Sequence, residues 1–308
     1  MGYFYGEHRP YPYRHVIGPL YIIFSICPIL LHILIVRVFL VHPKFKNQYS
    51  YRIMAFLSVF EGVMQVSQMV YGIFLLCQNT FHVVFENFIT TLSDFCWYGI
   101  FMHIALLAFN RCVVLCGFRN LRILYKLISG VIWLFCFSHL IICQSSLVTY
   151  RFWLDLGIKT VSSGVLAQFT DNLKFYVTLM LLGLSFCFYL FTVLYLIYKR
   201  RKMLTMTKKV ISKHELRILL QACATFFIGL LNEGISYKAQ VIFGLQSVPF
   251  IASVLLAQCN FGLLNPVLYL IINRELRNCM LQFWRPRTKV PHIQVQYKSS
   301  SKMVTKQF

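Results

Sequence analysis

The stretch Asn265-Pro266-Val267-Leu268-Tyr269 ends an apolar run, Val248 to Ile272, and a basic segment, residues 273–284, follows it directly. A proline inside a helix removes one backbone hydrogen bond and introduces a kink. Asn and Tyr carry polar groups that membrane hydrocarbon penalises unless they face protein or water. The stretch therefore predicts the kinked, protein-facing end of a membrane helix.

The composition of the 308-residue chain is that of a membrane protein. Hydrophobic residues make up 58% of it and charged residues 13%, whereas soluble domains carry about 25% charged residues. The formal net charge is +21, but the Lys and Arg residues lie between and after the apolar runs. This placement indicates membrane topology and argues against a nucleic-acid partner.

A helix needs about 20 mostly apolar residues to cross a bilayer. Seven runs qualify: Ile17–Leu40, Met54–Leu76, Phe85–Val114, Tyr125–Val148, Phe175–Tyr198, Leu216–Tyr237 and Val248–Ile272. The sequence thus predicts an all-α membrane protein, a seven-transmembrane helix bundle. We expect four regions: an N-terminal tail (1–16), the bundle (17–272), a short amphipathic surface helix (273–285) and a disordered tail (286–308).

The basic residues predict the orientation of the bundle. Twenty-two Lys and Arg residues fall on the side that carries the C-terminus, against six on the side of the N-terminus. Because positive charge accumulates on the cytoplasmic side of a membrane, we expect an extracellular N-terminal tail and a cytoplasmic C-terminal tail. An odd number of spans places the two termini on opposite sides, which agrees with the charge count.

Two polar residues inside the predicted spans are candidates for function. Glu61 lies within the second span, where a carboxyl group is expensive and is a functional candidate by default. The alternative is a protonated side chain that only hydrogen-bonds a neighbouring helix. Asn110-Arg111-Cys112 ends the third span, where an Arg is often a snorkelling anchor. Pro28, His32 and Arg37 in the first span are interpreted as structural.

These motifs together resemble rhodopsin-like seven-helix receptors. Asn110-Arg111-Cys112, with Trp97 before it and Asn265-Pro266 and Tyr269 near the C-terminus, is most similar to the T-like class of nematode serpentine chemoreceptors. The resemblance covers about Ile17 to Trp284. It implies a G-protein-coupled sensory receptor for olfaction, located in the plasma membrane of a sensory cilium. Such a receptor binds an extracellular small molecule and signals through a heterotrimeric G protein.

The resemblance also implies roles for the inner ends of the helices. Asn110 stands where most relatives carry an acid, so Arg111 lacks its usual partner. Glu215, at the start of the predicted sixth helix, is one candidate to replace that acid. It is equally consistent with a first-turn acid favoured by the helix dipole. Tyr195 is either an interfacial residue or a partner of Tyr269 on activation.

The outer halves of the helices are expected to form the ligand cavity, because ligand sites in helical bundles lie between helices. The candidate residues are Gln65, Gln68, Ser93, Asp94, Trp97, Asn232 and Glu233. If Asp94 faces the cavity, it favours a cationic ligand. If it faces a neighbouring helix, its role is structural.

Three cysteines are candidates for covalent modification. Many receptors of this kind join the third helix to the second outer loop by a disulfide, but residues 149–174 contain no Cys. Cys77 and Cys143 lie near outer helix ends and are candidates to pair in the oxidising exterior. Cys279 is either a palmitoylation site or a buried, unmodified thiol.

Other classes of function fit the sequence less well. A seven-span ligand-gated channel or transporter is the alternative, but it calls for several charged residues at mid-membrane, where Glu61 is nearly alone. The chain has nine acidic residues and no recognisable catalytic motif, so we expect no enzyme activity. No Cys or His spacing suggests a metal or cofactor.

Overall fold

Five long apolar helices occupy the first two thirds of the chain. They are α1 (Arg14–Val41), α2 (Tyr49–Cys77), α3 (Val83–Cys116), α4 (Arg122–Gln144) and α5 (Val165–Met203). Near the C-terminus follow a π-helical turn (Asn260–Leu264), α6 (Asn265–Ile272) and α7 (Arg274–Trp284). The computed structural model describes residues 13–117, 122–145, 148, 150–154, 158–161, 165–203, 260–284 and parts of 219–234.

Within these described residues, α1 to α5 are each long and apolar enough to cross a membrane. They coincide with the first five predicted spans, although α5 begins at Val165, ten residues before the predicted start at Phe175. Short helical stretches between 219 and 234 fall within the predicted sixth span. Residues 248–259 of the predicted seventh span and the predicted tail, 286–308, lie outside the described residues.

The helix α3 is the centre of the bundle, since most of its residues are buried. In contrast, α1, α4 and α5 expose apolar side chains such as Leu30, Leu134 and Leu194. In lipid these exposed side chains face acyl chains, whose apolar character they share. Residues of α3 therefore contact α2, α4 and α5.

Gly99 lets α2 and α3 approach closely. A Cβ atom at this position would lie 2.2 Å from the ring of Phe60, which packs against Trp133 of α4 with ring centroids 4.5 Å apart. Small residues are used in membrane bundles where helices must come close. This contact holds α2, α3 and α4 together.

We expect Gly99→Leu to prevent normal folding, because a leucine side chain would overlap Phe60. Overpacking of this kind costs about 1–3 kcal/mol or more. Surface expression and the melting temperature of the detergent-solubilised protein measure the effect. Gly183→Leu is the matched control, since a Cβ at Gly183 meets no atom within 4 Å. Equal expression of both variants would contradict the packing described.

A short antiparallel hairpin, which was not predicted, lies between α4 and α5. The end of the bundle that carries it is the one predicted to be extracellular, and it is called the outer end; the opposite end is called the inner end. It consists of β1 (Tyr150–Trp153) and β2 (Ile158–Val161), with Tyr150 opposite Val161. Strands of four residues have too few alternations for hydrophobic periodicity to reveal them. The strand β1 contacts α3, and β2 contacts α5.

The π-helical turn is followed directly by α6 at a proline, and this junction is called the kink. The π-helical turn ends at Leu264, and Pro266 lies in the first turn of α6. Proline has no N–H to donate, and π-helical turns accommodate such interruptions. After α6, the Asn273 side chain accepts a hydrogen bond of 3.1 Å from the backbone N–H of Leu276. This bond caps the N-terminus of α7. The buried face of α7 includes Leu276 and Cys279; its location at a membrane surface stays a prediction.

Candidate functional site

An ion pair connects α3 and α5 in their outer halves. The Lys174 Nζ atom lies 2.8 Å from Asp94 Oδ1. The Asp94 side chain is 1% exposed and that of Lys174 is 22% exposed. The ammonium also lies 4.4 Å from the centroid of the Trp97 ring, and the Trp97 indole donates a 3.1 Å hydrogen bond to Thr178 Oγ1. A buried charge is stable only when it is paired in this way.

The first strand of the hairpin lies close to this ion pair. Tyr150 is buried, and its hydroxyl forms a hydrogen bond with Thr170 on α5. The charge of the Asp94 carboxylate also acts on this hydroxyl. Burial, together with that charge, raises the pKa of Tyr150 far above its usual value, so its hydroxyl stays protonated. Phe152 stacks on Tyr71 of α2, with ring centroids 4.7 Å apart. The outer site is therefore aromatic, and its charges are paired.

Asp94 thus contacts a residue of a neighbouring helix, as the second of the two roles considered for it requires, and its part in a ligand cavity stays a prediction. Its carboxylate is compensated by Lys174, a residue that was not predicted to belong to the site. The signal was present, since a Lys at the outer start of a predicted span is costly unless it snorkels or pairs. Nothing in the spacing of the two residues indicated which acid it would meet.

The other predicted cavity residues have different surroundings. Ser93 Oγ lies 3.5 Å from Met64 Sδ, between α3 and α2. Gln65 packs against Gly262 in the π-helical turn, where a Cβ would lie 2.4 Å from Gln65 Cδ. Gln68 is also buried on α2. Asn232 and Glu233 lie outside the described residues, so their part in a cavity stays a prediction.

A second polar group lies in the middle of the bundle, where α1, α2 and the C-terminal kink meet. Asn265 Nδ2 donates a hydrogen bond to Glu61 Oε1. His32 Nε2 lies 2.9 Å from the carbonyl oxygen of Gly262, and because a carbonyl only accepts, this nitrogen is the donor. His32 Nδ1 is 3.8 Å from Glu61 Oε2. Glu61 is therefore bound to the helix that carries Pro266.

His32 belongs to this central group, although the sequence analysis interpreted it as a structural residue. It is buried, and it connects α1 to the π-helical turn 230 residues later in the chain. A polar residue in the middle of an apolar span was the available signal. The central group explains how the kink near Pro266 is anchored to the first two helices.

A third group surrounds Arg111 at the inner end of α3. Arg111 is buried, and its charge acts on the hydroxyls of Tyr51, Tyr125 and Tyr189. The neighbouring Asn110 donates a 2.8 Å hydrogen bond to Ser50 Oγ. Asn110 therefore connects α3 to α2 instead of restraining Arg111. Glu215, the proposed partner of Arg111, lies outside the described residues.

The two tyrosines proposed to meet on activation have different partners in the structure. The hydroxyl of Tyr195 on α5 lies 3.4 Å from the carbonyl oxygen of Cys116 on α3. Tyr269 is buried on α6, and its ring centroid is 5.9 Å from that of Phe39 on α1. A contact between Tyr195 and Tyr269 stays a prediction for another conformation.

The structure does not join Cys77 to Cys143. Both are thiols, with Cys77 exposed at the end of α2 and Cys143 buried on α4. Cys143 Sγ lies 3.6 Å from His139 Nε2, on the face of α4 that packs towards α3. The two residues are separate thiols in this structure, and their pairing stays a prediction.

Cys279 on α7 is buried, and its Sγ lies 3.4 Å from His42 Nε2. Burial raises the pKa of the Cys279 thiol, although the charge of Lys44 acts in the opposite direction. A protonated, covered thiol is a poor nucleophile. Its environment is that of the unmodified alternative, and palmitoylation stays a prediction.

Comparisons with known proteins bear on the fold. The sequence matches no protein-family model and no curated protein sequence. The crystal structure of squid rhodopsin is similar to the structure of this chain, with a TM-score of 0.76 and 13% sequence identity. The match covers 91% of this chain and 87% of that chain. At this identity the likeness shows the fold, so the predicted seven-helix bundle is confirmed: the chain has the rhodopsin-like seven-helix fold.

Proposed function

We propose that the chain is a G-protein-coupled chemosensory receptor. It binds a small molecule from outside the cell and signals through a heterotrimeric G protein on the cytoplasmic face. The observation that carries this proposal is the Asp94–Lys174 ion pair. It connects the outer halves of α3 and α5, and further along the same two helices the charge of Arg111 on α3 acts on Tyr189 of α5. A ligand that alters the outer contact therefore acts on helices that reach the inner face.

The outer group has the chemistry of a small-molecule site. Such sites are mostly apolar and aromatic, with a few polar groups that orient the ligand. Here Trp97 and Tyr150 supply aromatic surface, while Lys174, Asp94 and Thr178 supply polar groups. Because the Asp94 carboxylate is already compensated, the structure gives no preference for a cationic ligand. A neutral or acidic ligand is equally compatible with the paired charges.

The central group provides a physical connection between the outer and inner groups. Glu61 contacts Asn265, and Gln65, one helical turn further out on α2, packs against Gly262. Movement of the predicted seventh span at the junction of the π-helical turn and α6 must change these contacts. Since packed interfaces switch between discrete arrangements, a small shift at the outer end can produce a larger one at the inner end.

The proposed orientation rests on the distribution of basic residues. With the C-terminus in the cytoplasm, the segment after Met203 and the helix α7 form the surface for the G protein. The T-like class of nematode chemoreceptors and a location in a sensory cilium are proposed from the resemblance of Asn110-Arg111-Cys112 and Asn265–Tyr269. A fluorescently tagged copy expressed in nematode sensory neurons would test that location, and its exclusion from the cilium would contradict it.

The proposed function is tested by an agonist screen. The full chain, tagged at its N-terminus, is expressed with a promiscuous G protein and exposed to matched acids, amines, esters and ketones. We expect the tag to be detected on intact cells and at least one compound class to evoke calcium release. Cells without the receptor are the control. A ligand-evoked current in cells that lack G proteins would favour the channel instead, and an N-terminal tag inaccessible from outside would contradict the orientation.

A further inference from the structure

His32 on α1 and Glu61 on α2 face each other in the middle of the bundle. His32 Nδ1 lies 3.8 Å from Glu61 Oε2, and the two side chains are 2% and 0% exposed. Among the described residues, neither of these two atoms has a hydrogen-bond partner. A buried polar atom that is left without a partner costs about 1–3 kcal/mol. The packing of α1 against α2 therefore favours a species that joins the two atoms.

The remaining atoms of the two side chains decide what such a species must be. His32 Nε2 donates to the carbonyl oxygen of Gly262 at 2.9 Å, so Nδ1 of a neutral imidazole is an acceptor. Glu61 Oε1 already accepts from the side-chain amide of Asn265. An ionised Glu61 would place a second acceptor opposite Nδ1, and two acceptors do not bind each other. A proton or another cation between Oε2 and Nδ1 removes this conflict.

A metal ion needs more ligands than this place offers. Zinc, magnesium and calcium ions take four or more ligands in proteins. Within the part of the chain that the structure describes, no three His, Cys, Asp or Glu side chains lie together so that they could hold a metal ion. A proton needs only one oxygen and one nitrogen. Rotation of either side chain that shortens the separation by about 1 Å gives an ordinary hydrogen bond.

The charges around Glu61 also favour a proton. No Lys or Arg of the described residues forms an ion pair with Glu61. On α6, the carboxyl of Glu61 acts on the phenol of Tyr269, which is buried and supplies no positive charge. An unpaired carboxylate in the middle of a membrane bundle is costly. A carboxylic acid is neutral, and its hydroxyl is a donor that the imidazole of His32 can accept.

We infer that His32 and Glu61 form a binding site for one proton, which is held between Glu61 Oε2 and His32 Nδ1. The Glu61 hydroxyl donates to the imidazole. If the proton transfers, the O–H bond of Glu61 breaks and an N–H bond forms on His32, so the total charge of the pair stays zero. The shared proton joins α1 to α2, and Asn265 joins Glu61 to the kink. The inference is independent of the proposed receptor function, because the site needs neither a ligand nor a G protein.

Infrared difference spectroscopy of the purified full chain in detergent tests the site, since a carboxylic acid and a carboxylate absorb at different frequencies. We expect a carboxylic-acid band in the wild type at neutral pH and its loss in Glu61→Gln. In His32→Phe the band should remain but shift to higher frequency, because the hydroxyl has lost its acceptor. His103→Phe is the matched control and should leave the band unchanged, since it removes a buried imidazole of α3 that binds the Gly99 carbonyl.

Sodium chloride and zinc chloride, added separately to the wild type, should leave the band in place. Loss of the band with either salt would show that the site takes a metal ion and would overturn the inference. Absence of the band in the wild type, or an unshifted band in folded His32→Phe, would overturn it as well. If His32→Phe does not fold, nitrogen NMR of the wild type decides: His32 Nδ1 must be a hydrogen-bonded nitrogen, and a free acceptor contradicts the site. A failed agonist screen leaves these results unaffected.

Discussion

Arg111→Ala is expected to abolish G-protein signalling while leaving ligand binding and surface expression close to those of the wild type. Arg111 is buried at the inner end of α3, near the hydroxyls of three tyrosines on other helices. A hydrogen bond to a charged group contributes about 1.5–3 kcal/mol. Losing one such bond in the active conformation shifts its equilibrium with the G protein by about tenfold to a hundredfold.

The measurement is agonist-evoked calcium release, with ligand binding determined separately on the same cells. Arg37→Ala is the control, because Arg37 is a second basic residue near the inner end of a membrane helix but is exposed. We expect that variant to signal normally. A fully active Arg111→Ala receptor would show that Arg111 is only an anchor, which was the alternative raised by its position at a helix end.

Separate neutralisation of Asp94 and Lys174 is expected to give the second largest effect. Asp94→Asn or Lys174→Met leaves one buried charge without its partner, which costs about 3–5 kcal/mol. The double variant, Asp94→Asn with Lys174→Met, contains neither charge and should recover a large part of the lost stability. Melting of the detergent-solubilised receptor, measured for all four proteins, gives the coupling energy as a double-mutant cycle.

Coupling above about 1 kcal/mol would establish that the pair supports the packing of α3 against α5. Additive effects, within about 0.5 kcal/mol, would contradict that role. The same variants also test which of the two residues binds the ligand. If Asp94 binds a cationic ligand, Lys174→Met should increase the response to amines, because the carboxylate is then released. If the response to acids or ketones falls instead, Lys174 is the residue that receives the ligand.

The candidate site was predicted in part. Asp94, Glu61, Arg111 and Asn265 were recognisable because polar or charged residues inside apolar spans require a reason to be there, and Trp97 was named from the family resemblance. Their partners were not recognisable. Lys174 is 80 residues from Asp94, and Asn265 is 204 residues from Glu61. Hydrophobic periodicity describes one helix at a time and contains no information about which helices become neighbours.

His32 and the hairpin show the same limit in two other ways. His32 was interpreted as structural because one polar residue in an apolar span has many explanations, and only its contact with the Gly262 carbonyl selects among them. The strands β1 and β2 are too short for their pattern to differ from that of a loop. They are stable because Glu86 and Asn87 bind their backbone and Phe152 packs on Tyr71.

The sequence by itself determined, through the lengths of its apolar runs, that the chain is a bundle of membrane helices. The positions of its Lys and Arg residues predict the orientation of that bundle. These are local properties, set by the transfer of each segment between water and lipid. The tertiary structure alone decided that Lys174 neutralises Asp94, that the kink before Pro266 is anchored to Glu61 and His32, and that a hairpin lies close to the outer site. Those contacts join residues far apart in the chain, so they exist only once the helices have packed against each other.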